Sequence, residues 1–220
     1  MTRIMQRLSI ILLLLAIPLV SIASNADSLD AANNGSLFGY TEVRKQNLDM
    51  FPQWLSVLER HLLDTSTAGS CKSTRFNRCH LRQWLAFLDS IKNQSEKEQI
   101  NRVNRFANTR EYILDQENYG IADYWATPKE FLINNGDCED FAIIKMLSLK
   151  RLGYDVSKMR VVVVQDTNLR IPHAVMALDK GGDFLILDNQ IEQVISHNDV
   201  FHYVPVYSVN ENNWWMHVPN

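Results

Sequence analysis

The 220-residue chain has little of what builds unusual architectures. Eight glycines and six prolines are too few for a collagen-like or Pro-rich low-complexity chain. Basic charge is not in excess. With 22 Lys and Arg against 25 Asp and Glu, net charge −3 and pI near 6.1, the chain lacks the footprint of a nucleic-acid binder. No internal repeat is visible. Disorder is excluded from the other side, because 46% hydrophobic residues with nearly balanced charge supply ample apolar surface for a core. The length suits one domain or two small ones. Cysteine is scarce, three in all.

The one long apolar run lies at the N-terminus. Arg3 and Arg7 precede residues 8–22, which are apolar apart from Ser9, Pro18 and Ser21. Two small-residue sites follow, Ser21-Ile22-Ala23 and Ser24-Asn25-Ala26. Residues 1–26 therefore read as a secretory signal peptide. A retained anchor is the alternative, but a spanning helix needs about 20 apolar residues, and Pro18 interrupts this run. Removing the segment takes away two arginines and no acid, so net charge moves from −3 to −5 over 194 residues. The expectation is a mildly acidic periplasmic protein that does not span the membrane after cleavage. Disulfides persist in that compartment. Cys71 and Cys79 either pair or stay as two thiols, and in both cases Cys138 is left over.

Residues 27–37 form a polar leader. Residues 40–118 carry helical signals: Phe51, Trp54, Leu55, Val57 and Leu58, then Leu81, Trp84, Leu85, Leu88 and Ile91, recur at three- and four-residue spacing. Residues 141–152 are apolar almost all round, predicting a buried helix with Asp137 as N-cap and Gly153 as its stop. Strand-like runs follow at 160–164, 173–178, 184–187, 203–209 and 214–218, and residues 179–183 join two of them as a hairpin turn. Helices first and strands later give an α+β fold.

Three residues in this frame carry chemistry. Cys138 falls at the first turn of the buried helix, where free N–H groups and the dipole lower a thiol pKa and can hold an oxyanion. Gly136 lets the backbone turn tightly there and lets a substrate carbonyl approach. His173 begins one strand and Asp188 ends the next. If the hairpin turns about Lys180 and Gly181, the two lie nearly opposite, a base beside its orienting carboxylate. Taken singly, each has an ordinary structural explanation. Together they point to a Cys-His-Asp triad. A zinc site from the same three lacks an evident fourth ligand. Asp137, Glu139 and Asp140 crowd the thiol, either as acids favoured in a first helical turn or as oxygen ligands for a hard cation such as Ca²⁺.

The run from Tyr124, Trp125, Ala126, Thr127 and Pro128 through Leu132 carries a resemblance to a known family. So do Gly136-Asp137-Cys138-Glu139-Asp140-Phe141-Ala142, Pro172-His173-Ala174-Val175 and Leu187-Asp188-Asn189. Over about residues 40–210 they resemble the bacterial transglutaminase-like cysteine peptidases, within them the periplasmic proteases that release biofilm adhesins. The resemblance implies a papain/transglutaminase-like fold, with N-terminal helices and a nucleophile helix packed on an antiparallel sheet. It makes residues 27–220 a single catalytic domain, mostly helical over about 38–120, with the catalytic helix and sheet over about 121–220. It implies Cys138 as nucleophile, His173 as general base and acid, and Asp188 as orienting carboxylate, with Ca²⁺ held by Asp137, Glu139 and Asp140. The implied substrate is the N-terminal region of a large surface adhesin, cut at a di-alanine site to promote biofilm dispersal. The implied regulator is the periplasmic domain of an inner-membrane cyclic-di-GMP receptor. Two other readings stand beside it: a transglutaminase-type acyl transferase, and a non-catalytic binding module with a vestigial triad. Trp125 either shapes the cleft or packs beneath the Cys138 helix.

Overall fold

Val161, Val162, Val163 and Val164 form the middle of an eight-residue strand, β2 (Met159–Asp166). β-Branched side chains suit a pleated surface covered on both sides. β2 pairs antiparallel with β3 (Ile171–Asp179) and β6 (Tyr203–Val209). β3 leads on to β4 (Phe184–Leu187) and β5 (Ile195–Ser196), and β6 to β7 (Trp214–Val218) and β1 (Thr41–Lys45). The sheet order is β1-β7-β6-β2-β3-β4-β5. The computed structural model describes residues 36–66 and 79–220. The expected signal segment, most of the leader, Cys71 and the Cys79 side chain lie outside them.

Six helices precede β2 among the described residues: α1 (Pro52–Ser66), α2 (Cys79–Ile91), α3 (Glu96–Asn108), α4 (Asp115–Asn118), α5 (Pro128–Asn134) and α6 (Cys138–Arg151). α6 is the centre of the molecule, buried at every position from 140 to 149. It packs on β2 and β3 and is covered by α3 and α5. Trp54, Trp84, Phe131, Met146, Val161 and Met176 share this core. The Trp84 indole N–H donates to Ser148 Oγ at 2.8 Å, fastening α2 to α6. α5 starts with a capping box, in which Thr127 and Glu130 bond each other's backbone N–H, with Pro128 in its first turn. Trp125 takes the packing role: it is buried, stacks edge-on with Trp54 and donates to Asp123.

Two local expectations change. The stretch from residue 40 opens with β1, not helix, because Glu42 reaches the Arg160 guanidinium at 2.9 Å and β1 pairs with β7, 169 to 177 residues away. Such a short strand carries no periodicity of its own. The β3–β4 hairpin turns about Gly181 and Gly182, both in the left-handed region (φ 89° and 99°), with Lys180 N–H bonded to Asp183 O at 2.9 Å. Positive φ at both central positions is what a type I′ turn demands. The register therefore pairs Met176 with Leu187, two residues from the predicted one. Parity is kept, so His173 and Asp188 still share a face but meet diagonally.

On the opposite face of the sheet a smaller core surrounds Leu37, Val162, Val175 and Phe184. There Arg160 lies between the Phe184 and Trp215 rings, 4.7 and 4.4 Å from their centroids. His217 Nε2 lies 3.0 Å from Ser208 Oγ. Burial, reinforced by the Arg160 charge, lowers the His217 pKa to about 3. A neutral histidine in the fold that protonates near 6.5 when unfolded takes up protons on unfolding, so stability falls as pH drops from about 6.5 toward 3. At pH 5 the loss is about 2 kcal/mol. Acid unfolding curves of His217→Gln should lose this component.

Candidate active site

Cys138 opens α6, with Asp137 in extended geometry before it. Asp137 holds the N-cap position yet makes no side-chain cap bond. Its Oδ2 accepts instead from the Asp115 backbone N–H at 3.3 Å. The tight turn also differs from expectation. The left-handed residue is Asn135 (φ 62°), while Gly136 is needed for space. A Cβ there would stand 2.1 Å from Asp140 Oδ2 and 2.8 Å from its Cγ. Gly136→Ala should displace that carboxylate and cost about 1–3 kcal/mol, measured by thermal unfolding.

His173 and Asp188 are 2% and 1% exposed. His173 Nε2 lies 2.9 Å from Asp188 Oδ1, and the Gln190 side-chain amide lies 3.3 Å from His173 Nδ1. The Asp188 carboxylate also accepts from Gln190 N–H at 2.9 Å and from Tyr203 OH at 2.6 Å. Burial alone would raise its pKa, but the His173 bond and charge, with the Tyr203 and Gln190 donors, hold it below the usual carboxylate value. Asn108 of α3 donates to the Asp188 carbonyl at 2.8 Å and pins this segment.

The Cys138 thiol lies against the Ala174 backbone N–H, one residue after His173. Tyr112 is a neighbour of the thiol, its pKa raised by burial and by Cys138. The thiol donates to Glu139 Oε2 at 3.2 Å. Its pKa is raised by burial, by the charge and bond of Glu139, and by Asp137, against the Ala174 N–H. This reverses the sequence expectation of a lowered value. A helix terminus carries roughly half a charge, whereas burial and the neighbouring acids oppose it.

The acids around the thiol are themselves in an unfavourable state. Asp140 is fully buried and Asp137 nearly so. They are joined by Asp115, which the sequence reading missed. Asp115 Oδ1, Asp137 Oδ1 and Asp140 Oδ2 have no hydrogen-bond partner. Ligand atoms of the three carboxylates lie within 4.8 Å of one another. Glu139 groups with Asp115 and Asp123, and with Asp137 and Cys138, on the same criterion. Burial, then Asp137 and Asp123, pushes Asp115 up to about 6. Burial, with Asp137 and Asp115, raises Asp140 well above its ordinary value. Burial and the other acids also raise Glu139. Three clustered carboxylates, each with one unpartnered oxygen, fit a hard cation, whose charge offsets their mutual repulsion. Asp115 sits 22 residues before Asp137 and reaches the cluster because Tyr112 bridges Gly136 and Ile113 N–H bonds its carbonyl at 2.9 Å. A lone acid at the start of a four-residue helix gives no sequence signal.

A partly buried thiol at the first turn of a central helix, packed on an antiparallel sheet that carries a histidine–carboxylate pair, defines the transglutaminase-like class of cysteine peptidase folds. Residues 69–220 match the family of bacterial transglutaminase-like cysteine proteinases, and the chain belongs to it. Among solved structures it is similar to Legionella pneumophila LapG, at 30% identity and a TM-score of 0.58 over 73% of this chain and 87% of that one. Calcium-bound LapG from the same organism gives the same identity and coverage with a TM-score of 0.59. EGTA-treated LapG gives a TM-score of 0.58 over 84% of its chain. No curated protein matches the sequence. No described helix is long and apolar enough to cross a membrane.

Proposed function

We propose that the protein is a periplasmic, calcium-dependent cysteine endopeptidase with Cys138, His173 and Asp188 as its triad. The observation that carries this is the buried His173–Asp188 pair, one residue from the backbone N–H that faces the Cys138 thiol. Because Nε2 is engaged with Asp188, Nδ1 is the nitrogen that takes the thiol proton. The thiolate attacks the scissile carbonyl, and the N–H groups at the start of α6 hold the developing oxyanion. His173 Nδ1–H then protonates the leaving amine, giving an acyl-enzyme. His173 next withdraws a proton from water for deacylation. Glu139 must release the thiol for this cycle to begin.

Asp115, Asp137, Glu139 and Asp140 would hold Ca²⁺. When bound, it supplies positive charge that offsets the carboxylates beside the nucleophile. The calcium-bound form of the similar LapG structure supports this assignment. The motif resemblance extends the reading to substrate and regulation. The substrate is the N-terminal region of a large surface adhesin, cut at a di-alanine site to release it and disperse biofilm. The periplasmic domain of an inner-membrane cyclic-di-GMP receptor sequesters the enzyme. Residues 1–26 are removed on export and residues 27–220 form the catalytic domain. The test is incubation of purified protein with N-terminal segments of large adhesins from the same genome, with and without Ca²⁺. Cleavage between small residues that needs Ca²⁺ is expected; intact segments under both conditions contradict the substrate assignment. Mass spectrometry with an added amine separates hydrolysis from acyl transfer.

A further inference from the structure

We propose that Tyr203 is a positioning residue that holds the Asp188 carboxylate in the orientation His173 requires; the proposal rests on the triad reading above. A carboxylate held through one oxygen can rotate about its Cβ–Cγ bond. Asp188 is held through both. Oδ1 accepts from His173 Nε2 and Gln190 N–H, each at 2.9 Å, and Oδ2 accepts the Tyr203 hydroxyl at 2.6 Å. Short bonds to an ionised acceptor are the strong kind. The site is buried on both sides of that bond, Asp188 at 1% and Tyr203 at 4% exposure, so bulk water does not compete.

The hydroxyl itself is held in place by the fold. Tyr203 lies on β6 and His173 on β3, with β2 between them; Asp166 of β2 pairs with Tyr203 on one side and Ile171 on the other. The Tyr203 ring packs 5.6 Å from the His173 ring and meets Phe38 edge-on at 6.1 Å. One ring thus touches the imidazole while its hydroxyl holds the carboxylate that orients it. Burial, together with the Asp188 charge, raises the phenol pKa, so Tyr203 remains a donor at working pH.

The test is a double-mutant cycle read by carboxamidomethylation of Cys138 with iodoacetamide in Ca²⁺-containing buffer, followed by peptide mass spectrometry. This readout needs no protein substrate and reports the thiol–imidazole pair directly. Tyr203→Phe keeps the ring and removes only the donor. It should slow Cys138 alkylation about tenfold, the scale of a hydrogen bond to a charged group, and lower the thermal unfolding midpoint by a few degrees because a buried carboxylate oxygen loses its donor, with the fold retained by circular dichroism at the assay temperature. In an Asp188→Asn background, Tyr203→Phe should have no further effect, because its action runs through Asp188. A wild-type rate for Tyr203→Phe alongside a slow Asp188→Asn overturns the Tyr203 role and leaves the triad reading standing. Equal slowing by Tyr203→Phe in both backgrounds also overturns it, showing a general structural effect. A wild-type rate for Asp188→Asn overturns the triad reading, and the Tyr203 role with it.

Discussion

Cys138→Ala is expected to reduce proteolysis by about 10,000-fold or more, the scale seen when a covalent nucleophile is removed, with the fold intact. The substitution is locally mild. The thiol's hydrogen bond goes to Glu139, a group crowded by other acids, and alanine favours the helix that Cys138 begins. His173→Ala is a poorer probe. It would leave the buried Asp188 carboxylate without its imidazole partner, and an uncompensated buried charge costs about 3–5 kcal/mol. Gel analysis of adhesin cleavage, with far-ultraviolet circular dichroism of the variant, decides the matter. A folded Cys138→Ala protein that still cuts at the wild-type site removes Cys138 from the mechanism.

Chelation should have the second-largest effect. Treatment with EGTA is expected to abolish activity, and Ca²⁺ should restore it ahead of Mg²⁺, because buried carboxylates of adaptable geometry suit the larger ion. Stability supplies an independent readout. A cation bound only by the folded state at 100 times its dissociation constant adds about 2.7 kcal/mol, visible as a rise in unfolding temperature. Asp140→Asn should remove most of that rise. Asp115→Asn should reduce it as well, since an Asp115 carboxylate oxygen lies within 4.8 Å of those of Asp137 and Asp140. Equal Ca²⁺ shifts in wild type and both variants would place the cation elsewhere.

Much of the chemistry was legible because it sits in short runs. Cys138 lies in a five-residue motif with Gly136, Asp137, Glu139 and Asp140, and its helix announces itself by being apolar all round. Apart from the two-residue β5, the strands from β2 onward were visible for a similar reason, as short apolar runs. Residues that belong to the site through distant segments were not. Asp115 enters because residues 112 and 113 bond to Gly136. Tyr203 and Gln190 enter through a sheet neighbour and a register shifted by two residues. The reversed direction of the Cys138 pKa has the same origin. A helix dipole is inferred from local sequence, but burial and the placement of carboxylates are properties of the packed chain.

By itself the sequence determined the α+β arrangement, the central helix and the candidates for thiol chemistry. Those follow from periodicity and motif, which act over a few residues. Tertiary structure decided which acids gather near Cys138, which nitrogen of His173 meets Asp188, and why a side chain at Gly136 would collide with Asp140. Those depend on contacts between segments tens of residues apart, where packing and electrostatics rather than local propensity set the outcome.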